Sequence, residues 1–122
     1  MAVLTGRRVL VVEDEALVAM LVEDALLDAG AEVVGPVATV AEALRLLEQL
    51  RDNLPEAAVL DLNLAGEPST PVADELARHG VPFVVATGYG SDGLPPGHAN
   101  VTVLAKPYDP DDLTAALARL WA

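Results

Sequence analysis

The sequence predicts an α/β fold, a parallel sheet covered by helices on both faces. Three observations predict it. Val-rich apolar runs recur without polar alternation, at Val9–Val12, Ala57–Leu60, Phe83–Ala86 and Val101–Ala105, as expected of strands buried on both sides. Between them lie longer segments with apolar residues at three- and four-residue spacing. The two patterns alternate, which calls for right-handed βαβ crossovers and parallel pairing. A length of 122 residues suits one domain, residues 1–122, with a substantial core. If complete, the chain has no room for a separate catalytic or DNA-binding module.

Each element follows in order. The first strand is Val9–Val12. Residues 15–28 form the first helix, with Leu17, Met20, Leu21, Asp24 and Leu27 marking its stripe and Gly30 ending it. A weaker strand, Glu32–Gly35, is closed by Pro36. Thr39 and Glu42 make a capping box for a helix over 40–51 with Val40, Ala43, Leu44 and Leu47 on one face. The third strand is Ala57–Leu60. The helix over 71–79 takes Thr70 as N-cap and Pro71 as its first residue, and stops at Gly80. The fourth strand is Phe83–Ala86. The crossover after Thr87 carries four glycines and two prolines, so a fourth helix here is short or disordered, one turn at most. The fifth strand is Val101–Ala105. The last helix, 110–121, takes Asp109 as N-cap, Pro110 at its first position, and Leu113, Ala116, Leu117, Leu120 and Trp121 as its buried stripe. Five strands in this order fit the flavodoxin-like, doubly wound five-stranded parallel sheet with strand order 2-1-3-4-5.

Composition restricts the partners. Nineteen acids against seven bases give a net charge of −12, which repels nucleic acid and anionic membrane. Cations and basic protein surfaces are the expected partners. No cysteine means no disulfide or thiolate metal site. No apolar run reaches a membrane span, and the one after Arg7–Arg8 is too short for a secretory signal, so the expected location is the cytoplasm.

In a doubly wound sheet ligands gather at the carboxyl ends of the strands. There the chain places Glu13-Asp14-Glu15, Asp61, Thr87 and Lys106-Pro107, while the second strand ends in Gly35-Pro36. Clustered carboxylates repel unless a cation neutralises them, and an oxygen-only set suits Mg²⁺. Asp14 or Glu13 as a mere N-cap is the plainer alternative. Asp61 stands between Leu60 and Leu62, where an unpaired charge is expensive. Lys106 is the sole lysine beside six arginines and suits a point contact to a phosphoryl oxygen, or a structural ion pair. Thr87 offers a hydroxyl, or is simply a β-branched strand-end residue. Together they suit phosphoryl transfer to Asp61, with Mg²⁺, Thr87 and Lys106 at the phosphoryl oxygens.

The segments Val9-Leu10-Val11-Val12-Glu13-Asp14-Glu15, Val59-Leu60-Asp61-Leu62-Asn63-Leu64, Ala86-Thr87-Gly88 and Lys106-Pro107-Tyr108 resemble the receiver domain of two-component response regulators across essentially the whole chain. The resemblance implies that Asp61 is the phosphoacceptor for a sensor histidine kinase. It implies that Asp14 binds Mg²⁺ directly, Glu13 through water and Asn63 through its main-chain carbonyl, and that Thr87 and Lys106 are the switch hydroxyl and the phosphoryl-binding lysine. Such a domain is no enzyme in the usual sense, although it assists its own phosphorylation and dephosphorylation. The position three before the lysine, usually aromatic in the family, is Val103. The text Phe83-Val84-Val85-Ala86-Thr87-Gly88-Tyr89-Gly90 instead resembles the "FAT GUY" subgroup of single-domain receivers, often paired with HWE-type kinases. Tyr89 then becomes the switch candidate, and ordering of residues 88–100 through Thr87 the expected switch. Two other readings compete. One is a receiver-like interaction domain that never turns over phosphate. The other is a small aspartyl-phosphate phosphatase, disfavoured because Asp61-Leu62-Asn63 lacks a second Asp. The kinase, the downstream protein and the oligomeric state are not encoded legibly.

Overall fold

The computed structural model describes residues 3–87, 101–105 and 109–121. Five parallel strands form the main sheet: β1 (Arg8–Val12), β2 (Glu32–Val37), β3 (Ala57–Asp61), β6 (Phe83–Thr87) and β7 (Thr102–Ala105). Their order, β2-β1-β3-β6-β7, is the doubly wound order 2-1-3-4-5. Four helices flank it among the described residues: α1 (Ala16–Asp28), α2 (Val40–Gln49), α3 (Thr70–Arg78) and α4 (Pro110–Arg119). The expected short or disordered fourth helix falls at 88–100, outside the described residues.

The Val-rich runs are central because neither face meets water. β3 is buried at every residue and β1 at all but its first. Side chains alternate between two cores. Leu10, Val12, Ala58, Leu60 and Val85 pack under α2 and α3, while Val9, Val11, Val59 and Val84 pack under α1 and α4.

The edge strand β2 runs further than Pro36 suggests, through a cis Gly35–Pro36 peptide to Val37. Proline is tolerated at a sheet edge because no neighbour needs its missing N–H. Gly35 sits at φ +92°, and a Cβ there would meet Val37 N at 3.0 Å and Val11 O at 3.2 Å. Only glycine fits this bulge. The extension matters to the site, because the Val37 carbonyl accepts the Glu13 N–H at 2.9 Å just beyond β1.

The helix ends separate real caps from apparent ones. The Thr39 Oγ1 accepts the Glu42 N–H at 3.1 Å, the N-cap half of the capping box, and donates to the Glu42 carboxylate at 3.1 Å. The Asp109 carboxylate accepts the Asp111 N–H at 2.8 Å. Helix α3, however, begins one residue earlier than expected, at Thr70, with Ser69 as N-cap. The Ser69 Oγ is fully buried and makes no cap bond. Thr39→Ala should therefore lower stability by about 1 kcal/mol. Ser69→Ala should not lower it, since it removes a buried hydroxyl that is already unsatisfied. Urea unfolding of both variants checks the contrast.

Helix α1 corrects the sequence reading. Ala19, Val22, Ala25 and Leu26 are the buried face. The residues marked by spacing point outward: Leu17 is 76% exposed, Met20 56%, Leu21 64% and Leu27 54%. The helix is apolar nearly all round, so two stripes satisfy the same periodicity. In α4 the stripe is as expected in Leu113, Ala116 and Leu117, while Leu120 and Trp121 are half-buried at its end. The Arg7 guanidinium lies 4.4 Å from the Trp121 ring centroid and pairs with Glu56 at 2.8 Å, clasping the two ends of the domain.

Candidate functional site

The register of the central strands builds the site. Val12 pairs with Leu60, so Glu13 and Asp61 emerge side by side one residue further on. Asp61 in turn pairs with Ala86, which places Thr87 at the same edge of the sheet. Glu13, Asp14, Glu15 and Asp61 converge here, with one carboxylate oxygen from each lying within 4.8 Å of the others. Glu13 and Asp61 are buried and Asp14 is half-buried. Glu15 belongs to this cluster but was absent from the expected ligand set. Its position directly after Glu13-Asp14 was the available signal.

Three of the four carboxylates accept a main-chain N–H. The Glu13 carboxylate accepts the Glu15 N–H at 3.1 Å, ahead of α1, so it also shapes the helix entry. The Asp61 Oδ1 accepts the Asn63 N–H at 3.3 Å. The Asp14 Oδ2 accepts the Ala65 N–H at 2.9 Å across 51 residues of sequence. Burial opposes the Asp14 charge. Hydrogen bonds to the carboxylate, led by the Ala65 N–H, hold the carboxyl below its ordinary value.

The Ala65 contact comes from an element the sequence reading missed. After β3 the chain folds into a small hairpin of β4 (Asn63–Leu64) and β5 (Glu67–Pro68). Ala65 and Gly66 form its two-residue tip at φ +56° and +90°, as a type I′ turn requires. The Asn63 Oδ1 accepts the Gly66 N–H at 2.7 Å, so that side chain fastens the turn rather than joining the acids. Asn63 directs its N–H at Asp61.

The donor set fits a hard divalent cation. It is all oxygen, it concentrates negative charge in a partly buried place, and among the described residues no sulfur or imidazole joins it. Lys106 and Tyr89 lie outside the described residues, as does the Lys106–Pro107 bond. For Thr87 the structure gives the strand position alone.

A parallel five-stranded sheet with buried acids at the ends of β1 and β3 is the architecture of a receiver. The sequence model of the response regulator receiver domain matches residues 9–118, and the chain belongs to that family. It is thus a receiver domain of two-component signalling, a class that generally binds Mg²⁺ at an acidic pocket and interacts with kinases and downstream effectors. The solution structure of SdrG from Sphingomonas melonis Fr1 is 44% identical, covers 100% of both chains and has a TM-score of 0.80. The response regulator PhyR from Brucella abortus is 30% identical over 92% of this chain and 46% of its own, with a TM-score of 0.78. The transcriptional regulatory protein PdtaR of Mycobacterium tuberculosis is 30% identical over 115 residues. These cover 91% of this chain and 55% of PdtaR, so the chain spans about half the length of the curated relatives it matches. No helix among the described residues is long and apolar enough to cross a membrane.

Proposed function

We propose that the chain, as one receiver domain over residues 1–122, accepts a phosphoryl group on Asp61 from a sensor histidine kinase and thereby switches its binding to a downstream protein. The observation that carries this reading is the convergence of Asp61 with Glu13 and Asp14 at one sheet edge. One Asp61 carboxylate oxygen forms a bond to phosphorus as the P–N bond to the donor imidazole breaks, and the imidazole leaves with a proton. Asp14, Asp61 and the Asn63 carbonyl would hold Mg²⁺, with Glu13 acting through water. The bound ion supplies charge neutralisation at the phosphoryl oxygens. Thr87 and Lys106 are assigned to the remaining oxygens, and Tyr89 to the switch. The domain assists its own phosphorylation and dephosphorylation and acts on no separate substrate. Beryllofluoride with Mg²⁺, a mimic of the acyl phosphate, tests this by amide NMR. Shifts are expected around Asp61 and Thr87 in the wild type and none in Asp61→Asn. An unresponsive wild type that still binds Mg²⁺ would overturn the proposal.

The outward face of α1 is the proposed seat of the phosphoryl donor. It starts at Leu17, three residues beyond Asp14, so a partner seated on it lies beside the end of α1 that carries the acids. Asp24 and Asp28 on this exposed side, within a chain of net charge −12, disfavour a second copy and favour a partner with a basic rim. Leu21→Glu should slow transfer from a kinase at least tenfold and leave modification by acetyl phosphate unchanged. Equal slowing of both would contradict docking here.

A further inference from the structure

Two features of the β4–β5 hairpin have no part in the phosphoryl chemistry proposed for Asp61. Ala65 is the one non-glycine among the described residues at positive φ, +56°. L-residues avoid that region, and hairpin tips usually place Asn, Asp or Gly there. The same residue sends its N–H to the Asp14 Oδ2 at 2.9 Å, while the Asn63 side chain and Gly66 fasten the turn from the other side. Backbone held in a sparsely populated conformation persists where surrounding contacts fix it, and here they fix a donor onto a carboxylate of the cluster.

We infer that the hairpin tip is a positioning device for the cation site: the Ala65 main-chain N–H orients the Asp14 carboxylate, so cation affinity depends on the turn geometry at Ala65–Gly66. This rests on the assignment of Asp14 to Mg²⁺. A carboxylate can accept an N–H on one oxygen and present the other to a cation, and such outer partners commonly contribute about 10–100-fold in metal affinity. The hairpin is well placed for this role. Its root is anchored by Leu62 and Leu64 in the core and by the Ser69 N–H on the Leu62 carbonyl at 3.0 Å. Its tip is exposed, and a Cβ on Gly66 would meet nothing within 4 Å. Substitutions at the tip therefore act on the turn and not through a clash with the core.

Mg²⁺ titration calorimetry on the full chain tests the inference. Gly66→Val, which disfavours φ +90°, and Ala65→Pro, which deletes the donor, should each weaken Mg²⁺ binding tenfold or more. In chelator both variants should remain folded, with melting temperatures a few degrees below the wild type for the strained turn. Ala65→Gly keeps the N–H and relaxes the turn, so it should bind within threefold of the wild type. Independently of any variant at the tip, the Ala65 amide proton should show a hydrogen-bonded shift that Asp14→Ala abolishes. Wild-type affinity in both Gly66→Val and Ala65→Pro, or an Ala65 amide indifferent to Asp14→Ala, would overturn the positioning role while leaving the metal assignment standing. A wild type that does not bind Mg²⁺ would overturn the metal assignment and this role with it.

Discussion

Magnesium at about a hundredfold excess over its dissociation constant should stabilise the protein by about 2.7 kcal/mol, and Asp14→Asn should remove most of that gain. The reason is linkage: an ion that binds the folded state alone shifts the equilibrium by its own mass action. The folded state brings four carboxylates within 4.8 Å, and the unfolded chain does not. Asparagine keeps an oxygen for the Ala65 N–H, so the substitution removes a charge and leaves the hairpin contact available. Chemical unfolding with and without the ion measures the difference. An equal gain in wild type and variant would place the ion elsewhere.

A second large effect separates two neighbouring leucines. Leu26 is fully buried under the sheet, whereas Leu27 is 54% exposed. Leu26→Ala should cost about 2–5 kcal/mol through lost burial and the cavity left behind. Leu27→Ala should stay within about 0.5 kcal/mol of wild type, as surface substitutions do. Equal costs would contradict the orientation of α1, and with it the outward apolar face proposed for the phosphoryl donor.

That orientation was where the sequence was least legible. The segment ALVAMLVEDALLD offers apolar residues to both sides, and spacing alone does not say which side the sheet covers. The strands were plain because a short Val-rich run without alternation suits a strand covered on both faces; alternation and handedness called for a parallel sheet, and five strands fitted the order 2-1-3-4-5. The second strand was cut short at Pro36 because proline reads as a stop, although an edge strand tolerates it. Helix α3 moved by one residue because Ser69-Thr70-Pro71 offers adjacent candidate caps and the bonded geometry is absent from the text.

The acids were legible for a different reason. A charged residue directly after a buried strand is costly, so Asp61, Glu13 and Asp14 stood out before any contact was known. The hairpin did not, since two-residue strands fall below any periodicity window. Ala65-Gly66 was its only mark, and a donor N–H on an alanine has no side-chain signature. The contact with Asp14 exists because the fold brings together residues 51 apart in sequence.

The most direct test is intact mass after incubation with acetyl phosphate and Mg²⁺, on the wild type and on Asp61→Ala. The wild type should gain one phosphoryl group, and both the substitution and chelation of the metal should abolish the gain. An unmodified wild type that demonstrably binds Mg²⁺ and also refuses a phosphorylated histidine kinase as donor would contradict the account. The acid cluster would then be a cation site in an interaction domain that does not turn over phosphate.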